Sequence, residues 1–99
     1  MPFGDFVNQL PPAFFIVVHL VAFLVGVYFA VRAFGADASL FGWGFVAYAI
    51  AELVYMTYHV DWTVFLFAHT IAEVLDLVAF ILVFAGAAQT FLSGRRAEV

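Results

Sequence analysis

His19, Glu52 and His69, three residues able to bind a metal ion or carry a proton, each lie seven positions inward from Pro12, His59 and Trp62, which read as ends of apolar stretches. Glu73 lies one helical turn beyond His69 on the same stretch, and Asp76 three residues further. Two imidazoles and two carboxylates are the ligand types that suit zinc, iron, manganese or copper. His69 and Glu73, at i and i+4 of a helix, can reach one ion, with His19 and Glu52 approaching from two other helices. The set lacks the paired Glu-x-x-His signature of di-iron bundles. Asp76, Tyr48 and Tyr55 are placed to act around it, fixing the tautomers of the histidines and balancing charge. His59 stands at the membrane interface, near the entrance to such a site.

Two other chemistries compete for the same residues. Glu52, Glu73 and Asp76 with the histidines could relay protons or cations from one face to mid-membrane. Past Asp76, however, that helix offers Phe80, Val83, Phe84 and Ala87 before Gln89 and Thr90, so one copy would leave a dry stretch and conduction would require a homo-oligomer. His19 and His69 at equal depth could also ligate haem axially. Two carboxylates in the same layer fit haem less well, and Phe15 and Phe65 stand one turn before the histidines, where chlorophyll needs a small residue. The plainest alternative is a buried network of hydrogen bonds that ties helices together.

These residues matter because of the medium that surrounds them. Of the 99 residues, 68% are hydrophobic and only 10% charged, and the mean hydropathy is +1.15, values that predict an integral membrane protein of a single domain. A charged side chain at the centre of a spanning helix costs about 2.5–3.5 kcal/mol on insertion scales. Two Glu and one Asp at depth must therefore be protonated, paired, bound to a cation or turned toward a partner's polar surface. The chain has no cysteine, which excludes disulfides and thiolate chemistry, and its net charge of −4 offers no basic patch for nucleic acid.

The elements that position the polar residues follow from the apolar runs. Pro11 and Pro12 suit a helix start, where the missing N–H costs nothing. The expected order is an interfacial N-terminal segment (1–11), a first transmembrane helix (12–34), a loop (35–39), a second helix (40–59), a turn (60–61), a third helix (62–92) and a tail (93–99). Asp37 or Ser39 would cap the second helix and Asp61 the third, while Ser93 and Gly94 would end the third. The short turn predicts that spans two and three form a tight antiparallel hairpin within an all-α three-helix membrane bundle. The first ten residues carry an acid and no Arg or Lys, so the first span reads as a retained helix and not a cleaved signal peptide. Phe3 and Phe6 would lay the N-terminal segment on the membrane surface, and Trp43, Tyr58 and Trp62 fall where an aromatic belt belongs.

Arg32 ends the first span and Arg95 and Arg96 follow the third, positions that share one side after an odd number of crossings. The positive-inside rule makes that side the cytoplasm and puts the N-terminus outside. At about 1.5 Å per residue, His19, Glu52 and His69 then lie roughly 10 Å below the outer boundary, Tyr48 and Glu73 near 16 Å and Asp76 near 21 Å.

Helical phase orients the ladder. His69, Glu73 and Asp76 share a face of the third helix, and Tyr48, Glu52, Tyr55 and His59 one of the second. Ala22, Gly26 and Ala30 follow His19 on the first, a spacing of small residues that marks a packing face. Val64, Ala68, Ala72 and Ala79 offer another small-residue surface for oligomerisation or docking. The sequence carries no Ser-His-Asp spacing and no phosphate loop, so it reads as a protein that is not an enzyme on its own. The expected function is a small subunit or accessory protein of an energy-transducing or redox-linked membrane complex, with its buried metal site in the outer half of the bilayer. Its expected partners are lipid and other membrane subunits, or further copies of itself.

Overall fold

The computed structural model describes residues 3–97, and these are all-helical, without strands. A short 3-10 helix, Asp5–Gln9, precedes three long helices: α1 (Pro12–Gly35), α2 (Ser39–His59) and α3 (Phe65–Ala97). All three are long and apolar enough to cross a membrane, which fits an integral membrane protein. α3 begins three residues later than the sequence suggested and runs through Ser93 and Gly94 to Ala97. One glycine in a helix costs only about 1 kcal/mol, too little to end it where breaking backbone hydrogen bonds costs more. Of the expected tail, Glu98 lies outside the described residues.

Both connections between the long helices have the same construction. After α1, Asp37 N–H donates to the Phe34 carbonyl at 3.1 Å and Ala38 N–H to the Ala33 carbonyl at 2.8 Å. After α2, Asp61 N–H donates to the Tyr58 carbonyl at 3.1 Å and Trp62 N–H to the Thr57 carbonyl at 2.9 Å. These are the paired bonds of a Schellman ending. Asp37 and Asp61 occupy its left-handed position, at φ 58° and 64°. The two aspartates therefore close the preceding helix instead of capping the next one. No side chain caps α2 at its N-terminus, so Ser39 does not do so either. Thr57 and Thr63 hydroxyls, 2.9 Å apart, fasten the end of α2 to the second turn.

α2 packs against both α1 and α3, and among the described residues no Cα of α1 comes within 8 Å of a Cα of α3. The contacts are made by small residues. Buried positions are Gly26 and Ala30 on α1, Gly42, Gly44, Ala47, Ala49 and Ala51 on α2, and Ala68, Ala72, Ala79 and Gly86 on α3. Lipid tails are as apolar as leucine, so membrane helices gain from close backbone approach and not from hiding large side chains. Accordingly no large side chain is fully buried among the described residues, and Phe, Val and Leu clothe the outside. The expected packing face of α1 does face α2: a Cβ on Gly26 would stand 3.2 Å from that of Ala49. On α3, Ala68, Ala72 and Ala79 are spent against α2, the one helix whose backbone comes close to that of α3, so they are not a free surface for a partner.

Candidate functional site

Glu52 sits at the centre of the arrangement because α2 does. Its side chain projects from the middle helix among alanines and is only 11% exposed. A carboxyl there needs a partner, and α1 supplies it: His19 Nδ1 lies 2.5 Å from Glu52 Oε2. The contact holds one shared proton, either on an Nδ1–H that donates to a carboxylate or on a carboxyl O–H that donates to the imidazole.

The imidazole is held in place by rings on both sides. His19 stacks on Tyr55, with centroids 5.0 Å apart and planes 14° apart, and on His59 at 5.3 Å and 27°. Phe15 stacks on the far side of His59 at 4.9 Å and 3°. The column thus alternates between helices: Phe15 and His19 come from α1, His59 and Tyr55 from α2. Phe15 was missed as a member of the site, although its position four residues before His19 puts it on the same face.

Tyr55 extends the cluster to α3, donating its hydroxyl to Glu73 Oε1 at 3.0 Å. Side-chain contacts therefore run from α1 through α2 to α3. His69 stands apart: it is exposed, stacks only on Phe65 of its own helix at 5.2 Å, and has no side-chain hydrogen bond among the described residues. Glu73 is likewise exposed apart from its tyrosine contact. Asp76, facing partly inward, has a buried Oδ1 with no hydrogen-bond partner, and with Tyr48 it lines a groove.

The four expected metal ligands therefore do not converge. His19 meets Glu52, Glu73 joins them through Tyr55, and His69 does not approach. Among the described residues no group of three or more His, Asp or Glu side chains is gathered closely enough to hold a metal ion. The physical reason is the placement of α2 between the others: His19 on α1 and His69 on α3 belong to helices whose backbones are held apart by α2. The arrangement can store a proton in the His19–Glu52 contact. No hydrogen bond links His59 to His19 among the described residues, since stacking brings the rings face to face without an N–H···N path.

Comparison of the chain with known protein families, with curated proteins and with solved structures finds no match. The reading of its function accordingly rests on the site itself.

Proposed function

We propose that this chain is a small integral membrane subunit that works in a larger assembly, of the energy-transducing or redox-linked kind. The observation that carries the reading is the exposure of His69 and Glu73, the fifth and ninth residues of α3, a helix long and apolar enough to cross a membrane. A charged side chain turned toward hydrocarbon costs up to about 2.5–3.5 kcal/mol, the insertion-scale figure for the centre of a spanning helix. A polar partner surface, from another membrane subunit or a second copy, removes that cost. In this arrangement α2 and α3 form an antiparallel hairpin with α1 on the other side of α2. The N-terminus is outside and Arg32, Arg95 and Arg96 face the cytoplasm. A transition metal ion would then be held between chains, with His69 and Glu73 supplying two donors and the partner the rest.

The test is native mass spectrometry from mild detergent or lipid nanodiscs, comparing the natural chain with the pair His69→Leu and Glu73→Leu. The reading expects masses above the 10.9 kDa of one chain, collapsing to the single chain in the pair. A lipid-facing surface would give the reverse: leucines there leave a single chain in both cases and raise its thermal stability. Metal analysis of the intact assembly, against His69→Ala, tests the metal ion separately.

A second reading is favoured by the contacts His19–Glu52 and Tyr55–Glu73, which join neighbouring helices. It makes the polar cluster a structural network whose purpose is to fix three helices that share no large apolar core. Under this reading the pair of leucines at positions 69 and 73 leaves the mass unchanged, while loss of His19 or Glu52 destabilises the chain.

A further inference from the structure

Because the backbones of α1 and α3 stand apart, a groove of about 600 Å³ opens between them over α2. Its walls are aromatic, with Phe29 from α1, Phe45 and Tyr48 from α2, and Phe80 and Phe84 from α3, and one acid, Asp76, stands among them. The volume falls within the range of small-molecule sites, about 300–1,000 Å³. Glu52 and Glu73, the acids nearest to Asp76, are already engaged, by His19 and by Tyr55. Asp76 is the acid left over, with Oδ1 shielded from solvent and without a hydrogen bond.

We infer that this groove is a binding site for a lipophilic organic cation, held by the Asp76 carboxylate and the surrounding ring faces. An unpaired carboxylate in an apolar setting is strongly disfavoured, and a cation brought to it removes that penalty. Ring faces attract cations, most strongly where water is excluded. An anion would meet the same rings and the same acid with the opposite sign. Entry is lateral, from the bilayer, through the gap between α1 and α3.

Binding is an exchange. Where Asp76 carries its proton, arrival of the cation sends that proton to water and the carboxylate pairs with the ligand, so one positive charge enters as one leaves. The titratable neighbours that bear on this exchange are Tyr48, Glu52 and Tyr55 from α2 and Glu73 from α3, and the α1 wall, Val25, Gly26 and Phe29, contributes none.

The experiment is equilibrium binding of radiolabelled tetraphenylphosphonium to the full chain in phosphatidylcholine nanodiscs, with empty discs subtracted. The expected result is saturable binding that weakens by about tenfold for each unit the pH is lowered once Asp76 is protonated. It should fall at least tenfold in Asp76→Asn and stay unchanged in Asp37→Asn, a charge change in the first turn. Tetraphenylborate, of similar shape and opposite charge, should not displace it. Equal displacement by tetraphenylborate, undiminished binding to Asp76→Asn, or no saturable binding overturns the inference. If Asp76→Asn does not fold, Val83→Phe keeps the acid and fills the groove; binding that survives that change is equally decisive against the site.

Discussion

His19 Nδ1 and Glu52 Oε2 meet at 2.5 Å across 33 residues of sequence, and the contact joins α1 to α2 at the level where both helices carry their polar side chains. Removing one partner strands the other. His19→Ala leaves Glu52 buried without a donor, and Glu52→Ala leaves an imidazole stacked between rings with an empty nitrogen. Hydrogen bonds between membrane helices contribute about 0.6–1.7 kcal/mol, and each single change should cost that much or more because of the abandoned polar group. The double change His19→Ala and Glu52→Ala should cost less than the sum, because neither group is then left unpaired. Unfolding by SDS titration in bicelles measures all four corners of the cycle, and additive losses would show that the two groups are not coupled.

Tyr55→Phe separates two roles of one ring. The phenyl ring keeps the stack on His19, while the hydroxyl donated to Glu73 disappears. The expected loss is about 0.6 kcal/mol, the average for such bonds between membrane helices. Tyr55→Ala also removes the ring and should cost clearly more. Thermal unfolding of the two variants side by side checks the order; equal losses would mean that the hydroxyl carries the whole contribution of Tyr55.

The lengths of the apolar runs made the three spans legible, and the four-residue spacing of Gly26 and Ala30 made the packing face of α1 legible. Two things were not. Aspartate favours both an N-cap and a left-handed C-terminal position, so the residue type at 37 and 61 does not say which helix it serves; the choice is made by backbone geometry. On α3 the sequence carries two stripes, His69, Glu73 and Asp76 on one and Ala68, Ala72 and Ala79 on the other. The polar stripe was read as the inward one. In a membrane the small stripe wins the contact, since close approach of backbones is what stabilises the helix pair, and His69 is left on the outside. Three ligands on three helices could be recognised by depth alone, but depth does not say which helices are neighbours.

Gly44 tests that packing directly. A Cβ at this position would lie 2.8 Å from Val83 Cγ2 and 3.1 Å from the Ala79 carbonyl oxygen on α3. Gly44→Ala should therefore push the helices apart, at a cost of about 1–3 kcal/mol for overpacking. Val83→Ala in the same chain clears the nearer obstacle, but the Ala79 carbonyl belongs to the backbone and cannot rotate away. Rescue should be partial. Full rescue in thermal unfolding would mean that α3 shifts freely against α2, contrary to a contact built on Gly44, Ala68, Ala72 and Ala79.

The two aspartates in the turns give the clearest prediction about local backbone. Asp37 and Asp61 hold φ values of 58° and 64°, a region that costs a residue with a Cβ roughly 1–2 kcal/mol. Aspartate tolerates it better than most residues, and glycine best of all. Asp37→Gly should stabilise the chain by about 0.5–1 kcal/mol, the relief of strain exceeding the added freedom of the unfolded chain. Asp37→Val should destabilise it, because a β-branched side chain crowds this conformation further. Asp61→Gly should behave as Asp37→Gly does, since the two turns share one hydrogen-bond pattern. If instead the aspartates acted as N-caps of α2 and α3, both glycine variants would lose stability, and Asp37→Ser would retain it. The sign of the change in melting temperature, for Asp37→Gly at the first turn and Asp61→Gly at the second, therefore decides between a helix ending and a helix beginning.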